Sequence, residues 1–278
     1  MAQLKQRVKP LYHRGQRLVA RTLFAYSPSQ LEAAIAKVGI AAGDTVMVHS
    51  GFARTSGFTG TPGDVIDVLL RAVGPTGHLL MMSIPYRGSS ERYADSDPLF
   101  DVRRTPSAVG VISELFRRRD GVVRSLSPLH PVLAHGPLAA WLVADHDTAL
   151  RSCGPGTPFE RFLSLKGTLL FVDAPYSSMT FAHYIEDLCR DRLPVELYDP
   201  APRTIRVRDD AGEREVRHLV FSATARARRR FAPIEAALRR TGALRVAHVG
   251  HSRLLCVAAQ DVLDSALQLV EEGTGFYA

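Results

Sequence analysis

From Ser27 onward the chain switches repeatedly between apolar residues at helical spacing and short unbroken apolar runs. Ser27-Pro28-Ser29 opens a helix whose Leu31, Ala34, Ile35 and Val38 share one face, and Gly39 closes it. Gly43-Asp44 then leads into a strand from Thr45 to Ser50. The same order recurs: Pro62-Gly63-Asp64 starts a helix that runs to Val73, Gly74 to Gly77 turn the chain, and His78 to Met82 form a buried strand. Residues 86–104 are polar and irregular, which predicts a long surface loop near a site.

Downstream the pattern predicts a helix from Ser107 to Arg119, a short strand from Leu133 to Gly136 and a helix from Pro137 to Asp145. Gly167 to Asp173 is the clearest buried strand, and Thr180 begins a helix that ends near Arg190. Residues 204–221 alternate on both sides of Asp210-Ala211-Gly212, the pattern of a β-hairpin. A basic helix carrying Pro233 spans Arg226 to Arg240, and the tail adds a strand, Arg253 to Val257, and a helix, Asp261 to Glu271. No repeat or low-complexity linker divides this run. The expected fold is therefore α/β: a single three-layer sandwich over residues 27–278, with a mixed β-sheet owed to the hairpin, behind a basic N-terminal extension of residues 1–26.

Composition narrows the class. The 278 residues are 46% apolar and 23% charged, which excludes disordered, collagen-like and coiled-coil chains. Cys153, Cys189 and Cys256 lie far apart and make a poor disulfide framework, so a reducing cytoplasmic home is expected. Basic residues interrupt the first 24 positions, leaving no signal-peptide core, and no later run reaches the roughly 18 apolar residues of a membrane span. The formal charge of +7 suits polyanionic partners. All basic residues except Lys5, Lys9, Lys37 and Lys166 are arginines, however, a bias that codon composition alone can produce, so the charge names no partner.

Candidate chemistry is concentrated in a few places. Thr180-x-x-His183-x-x-Glu186 puts an imidazole and a carboxylate three residues apart, on one face of a helix. A histidine so oriented is a suitable general base for an amine nucleophile, although the same spacing also occurs in ordinary surface ion pairs. Val48-His49-Ser50-Gly51 ends the first strand, where α/β sheets place their ligand crevices. Arg124-Ser125-Leu126-Ser127-Pro128 offers a guanidinium and hydroxyls that could hold a phosphate or a carbonyl. Nucleotide-loop, zinc-protease, serine-hydrolase-elbow and paired-cysteine motifs are missing. A hydrolase built on Ser50 or Ser127 lacks a neighbouring base, since His49 and Ser50 point to opposite faces of a strand. Nucleic-acid binding would rest on Arg226, Arg228, Arg229, Arg230, Arg239 and Arg240, which carry no interleaved aromatics and read as a solvated helix face.

Further pieces fall in a fixed order along the chain. They are Gly39-Ile40 with Gly43-Asp44, Val48-His49-Ser50, Gly57, the Gly74–Gly77 turn, Phe100-Asp101, Thr105-Pro106-Ser107, and Gly110 with Glu114, Phe116 and Arg117. Arg124-Ser125-x-x-Pro128 with Ala134 and Gly136 follows, then His146, Cys153-Gly154, Thr157-Pro158-Phe159 and the Thr180-His183-Glu186 motif. Over residues 28–200 this series resembles the aminoglycoside 3-N-acetyltransferase family of antibiotic N-acetyltransferases, whose fold differs from that of the commoner acetyl-CoA-dependent superfamily.

The resemblance implies acetyl transfer from acetyl-CoA, as co-substrate and without a metal, to an amine by direct attack. It casts His183 as general base, Glu186 as its orienting partner and Thr180 as a steadying hydroxyl. It also casts His49, Ser50, Thr105, Arg124, Ser125 and Ser127 as lining for the coenzyme. A small amine acceptor is implied, with no membrane or nucleic-acid partner, and a homodimer is left open. Gly51, Ser127 and Pro131 depart from serine, histidine and serine that are common in the family, which blurs the acceptor. Leu193-Pro194 with Leu197-Tyr198 resembles members linked to amino-sugar or surface-polysaccharide synthesis. A polycationic aminoglycoside prefers an acidic pocket, which Glu91, Asp95, Asp97 and Asp101 could supply in this otherwise basic chain.

Overall fold

The apolar runs at 45–50, 78–82 and 168–172 become adjacent parallel strands at the centre of a seven-stranded sheet. The computed structural model describes residues 20, 22–52 and 56–277, so most of the expected N-terminal extension lies outside the described residues. The strands, in chain order, are β1 (Thr45–Ser50), β2 (His78–Met82), β3 (Leu99–Asp101), β4 (Val123–Arg124), β5 (Val132–His135), β6 (Thr168–Val172), β7 (Arg203–Asp209), β8 (Gly212–His218), β9 (Arg245–Val249) and β10 (Ser252–Ala258). The main sheet runs β4-β5-β2-β1-β6-β10-β9, and β3-β7-β8 form a second, three-stranded sheet.

Period-two alternation decides what each strand buries. Val46, Val48, Leu79, Met81, Leu170, Val172, Leu254 and Cys256 face one apolar cluster, shared with the helices Pro28–Lys37, Pro62–Val73 and Val111–Arg117. Met47, Leu80, Met82, Leu169, Phe171, Leu255 and Val257 belong to the other, packed against Pro158–Ser164, Ala182–Cys189, Ala232–Thr241 and Ala259–Glu271. The product is helix, sheet, helix: the expected three-layer α/β sandwich.

Two expectations change. The sheet is mixed because β5 and β10 join its parallel centre in antiparallel fashion; the hairpin β7-β8 lies in the separate small sheet. Residues 86–104 are not one irregular loop. They hold a helical turn, Ser90–Ala94, and β3, whose fully buried Phe100 pairs with Val207 of β7. The polar residues around Phe100 hide this single anchor from a pattern reading. The basic stretch likewise divides into helices Ala223–Arg228 and Ala232–Thr241, because Pro233 suits the first turn of a new helix better than the interior of an old one.

The carboxyl ends of β1, β2 and β6 open on one side of the sheet, the usual ligand crevice of such folds. Gly51, directly after β1, donates its N–H to Val172 O at 2.9 Å. A Cβ at Gly51 would lie 2.4 Å from the carbonyl oxygen of Asp173, so backbone, not a movable side chain, enforces glycine here. Gly51→Ser is expected to lower stability by about 1–3 kcal/mol, read as a reduced urea midpoint. An unchanged midpoint would mean that the β6 loop yields freely.

Candidate active site

The helix Ala182–Cys189 turns Ala182, Ile185 and Cys189 into the core, and its i, i+3 geometry stacks His183 over Glu186. His183 Nδ1 lies 2.7 Å from Glu186 Oε2. The carboxylate is wholly buried, and its other oxygen, Oε1, accepts from Arg229 Nε at 2.5 Å and from the Tyr277 hydroxyl. Arg229 sits in the break between the two basic helices, and Tyr277 near the end of the chain. A backbone bridge between these two residues, with Arg230 N donating to Phe276 O at 2.8 Å, closes the tail over the carboxylate.

Burial pushes the Glu186 pKa up, but the hydrogen bond and charge of His183 together with Arg229 outweigh it and hold the group below its ordinary value. Burial, reinforced by the Arg229 charge, lowers the His183 pKa, and Glu186 opposes this only in part. At neutral pH the imidazole is therefore neutral and Glu186 anionic. Nδ1–H donates to the carboxylate, which leaves Nε2 as the basic nitrogen. Phe221, His130 and Phe231 surround the ring at centroid separations of 4.7, 5.8 and 6.1 Å.

Two cavities meet beside His183. One, of about 430 Å³, is lined by His183, His130, Phe221, Tyr86 and Arg229 among others. The other, of about 240 Å³, is lined by His49, Ser50, Gly51, Met82, Ser113 and Pro175 among others. Thr180, Ile84 and Val109 belong to both walls. In the second cavity His49 Nε2 and Ser50 Oγ are buried without hydrogen-bond partners. Such orphaned polar atoms at a cavity wall suit a polar ligand.

The structure thus brings together His183 and Glu186, and sets His49 and Ser50 in the adjoining cavity, with Thr180 in the wall common to both. Thr105, Arg124, Ser125 and Ser127 line neither cavity. The buried Arg124 guanidinium donates to Ser83 O and Thr105 O, at 2.6 Å each, and so ties the 102–105 segment to the end of β2. Thr105 Oγ1 accepts from Asp101 N at 2.8 Å. Ser125 accepts from Val132 N and pairs with His146 Nδ1 at 2.8 Å, and Ser127 pairs with His218 Nε2 at 3.0 Å. Both of these Ser–His pairs are buried, and none of the four residues lines either cavity.

No local motif marks Arg229, Tyr277, Phe221 or His130. Arg229 lies in a stretch whose pattern is that of a solvated basic face, and Pro233 alone signals the helix break that turns it inward. Of the other arginines in that stretch, Arg226 pairs with Glu91, Arg239 with Glu235, and Arg230 donates to backbone carbonyls. Among the described residues no group of three or more His, Cys, Asp or Glu gathers as metal ligands, and no helix is long and apolar enough to cross a membrane.

This is an α/β protein with a partly buried, carboxylate-supported histidine in the wall of one of two adjoining cavities. A model of the aminoglycoside 3-N-acetyltransferase family matches residues 47–271, and the chain belongs to that family. The match reaches well past the region in which the motifs were recognised. Aminoglycoside N(3)-acetyltransferase III of Salmonella sp is 32% identical over 165 residues, or 55% of this chain and 57% of that protein. Aminoglycoside N(3)-acetyltransferase VIII of Streptomyces fradiae is 30% identical over 164 residues, or 54% and 56%. The chain therefore spans little more than half the length of these relatives. Aminoglycoside acetyltransferase AAC(3)-Xa superposes with a TM-score of 0.74 at 27% identity, covering 93% of this chain and 97% of that one. AAC-VIa bound to sisomicin gives 0.73 at 26% identity, covering 90% and 98%.

The buried histidines make stability depend on pH. Burial lowers His49 and His218 to about 4 and His146 to about 3. The unfolded chain, with histidine near 6.5, then binds protons that the fold refuses, so this stability is full above about pH 6.5 and is lost as pH falls toward the folded values. The loss is expected to be about 1 kcal/mol per buried histidine per pH unit, read from urea midpoints at about pH 7.5, 6 and 5. Midpoints that do not fall would show these rings to be solvated.

Proposed function

We propose that the chain transfers an acetyl group from acetyl-CoA to an amine. The observation that carries this reading is His183, held by Glu186, in the wall of a cavity that shares Thr180 with the cavity of His49 and Ser50. The family membership supports it, as does AAC-IIIb, solved as a binary complex with CoASH, which shares the fold at a TM-score of 0.73 and 23% identity.

In this reading the thioester enters along His49 and Ser50, and the amine approaches through the cavity lined by Phe221 and Arg229. The amine nitrogen bonds to the thioester carbon, the carbon–sulfur bond breaks, and coenzyme A leaves as thiolate. His183 Nε2 takes the proton that the nitrogen loses. Glu186 fixes the tautomer that makes Nε2 the base and supports the imidazolium once it forms. Thr180, on the common wall, is placed to donate its hydroxyl to the carbonyl oxygen as charge develops there. Thr105, Arg124, Ser125 and Ser127 act from behind, holding the β2 and β5 ends that shape the coenzyme side.

Thiol release from acetyl-CoA tests this directly. His183→Ala should lose about 10²–10⁴-fold in kcat. Near-normal turnover in that variant overturns the assignment. In the wild type, kcat should rise with pH as His183 deprotonates, with the midpoint below the ordinary histidine value because burial lowers it. Glu186→Gln, which keeps the side chain's size, should move that midpoint further down, since it removes the anion that favours the imidazolium.

A further inference from the structure

The cavity on the Phe221 side is walled by three guanidinium groups, Arg87, Arg226 and Arg229, and by no carboxylate among the described residues. The acids that could have made an acidic wall are already engaged. Glu91 pairs with Arg226 at 2.6 Å, Asp95 with Arg203 at 2.8 Å, Asp97 with Arg206 at 3.4 Å and Asp101 with Arg208 at 3.9 Å. Arginines from β7 and from the Ala223–Arg228 helix thus neutralise the whole 91–101 segment. The cations of the wall are cancelled in turn, Arg226 by Glu91 and Arg229 by Glu186, which leaves Arg87. Arg87 is exposed and makes no ion pair among the described residues, and Nη2 of Arg229, beyond its bond to Glu186, has no hydrogen-bond partner.

A polycationic acceptor would meet like charge here and would find no carboxylate for its ammonium groups. An oxyanion meets the reverse: at the rim a free guanidinium, Arg87, of the geometry that phosphate and carboxylate accept bidentately, with the Arg229 Nη2 donor behind it. Tyr86, stacked on Tyr93 at 4.8 Å, and Phe221, stacked on Tyr198 at 5.1 Å, add rigid apolar faces that a ring could lie against. We infer that the acceptor is an amino sugar that carries an oxyanion, a phosphate or a carboxylate, with Arg87 as the residue that selects it. This inference rests on the acetyl-transfer reading given above.

The test uses the full chain with acetyl-CoA and four acceptors: glucosamine, glucosamine 6-phosphate, 2-amino-2-deoxyglucuronic acid and kanamycin. The two anionic amines should exceed glucosamine in kcat/KM by about tenfold, with kanamycin below both, and the excess should shrink with added salt. The better of the two anionic amines identifies the oxyanion. Arg87→Ala should cut the anionic-to-neutral ratio several-fold, and Arg87→Lys should keep most of it. Kanamycin turned over as well as the anionic amines, or a ratio that neither variant moves, overturns the inference. Equilibrium binding of the same amines to the CoA complex separates the two readings. Anionic preference in binding without thiol release from any amine sinks acetyl transfer and leaves the charge selection standing. Thiol release without anionic preference does the opposite.

Discussion

A fully buried carboxylate, Glu186, sets the terms for the site and for much of the chain around it. Removing such a charge from water costs several kcal/mol unless donors surround it. Here the donors come from three places far apart in sequence: His183 one helical turn away, Arg229 from a break between helices, and Tyr277 from the end of the chain. Satisfying one anion therefore fixes the orientation of the Ala182–Cys189 helix, the path between the two basic helices and the docking of the tail. The tertiary structure of the last fifty residues and the chemistry of His183 answer to the same requirement.

Sharing Glu186 between His183 and Arg229 has an electrostatic consequence. A carboxylate with histidine as its only partner would raise the imidazole pKa; with a guanidinium on its other oxygen, much of that field is already spent. Burial and the nearby Arg229 charge then prevail, and the ring rests neutral. Arg229 also lies over Phe221 at 4.8 Å, and Phe221 walls the imidazole. One side chain thus tunes the imidazole and helps shape the cavity that the imidazole lines, and that coupling explains why the site cannot be understood from the His–Glu pair alone.

Much of the fold could be read from the chain. The buried strands at 45–50, 78–82 and 168–172 are unbroken apolar runs, and capped, proline-initiated helices such as Pro62–Val73 announce both of their ends. β3 escaped because three residues with one buried phenylalanine carry no periodicity, and β4 and β9 because short edge strands are marginal in the same sense. At the site, His183 and Glu186 were visible because helical geometry makes a local spacing into a contact. Arg229 and Tyr277 were not, since their partner lies 43 and 91 residues away and nothing local distinguishes an inward arginine from a solvated one. Arg124, Ser125 and Ser127 illustrate the converse. They are conspicuous residue types whose hydrogen-bonding capacity is taken up by carbonyls and histidines inside the fold.

Net charge is equally uninformative until the pairing is known. A formal +7 says only that cations outnumber anions; it does not say where the surplus sits. The acids of residues 91–101 would make the cavity rim acidic if they faced it unpaired. β7 runs beside β3, and that register puts Arg203, Arg206 and Arg208 along the same segment, where they take up Asp95, Asp97 and Asp101. Strand pairing in the small sheet therefore acts together with the composition of the cavity wall: it takes up the nearby acids and leaves the wall's Arg87 without a counter-charge. The His183–Glu186 pair and the three-layer frame can stay intact while changes in this distant hairpin alter the charge beside the cavity.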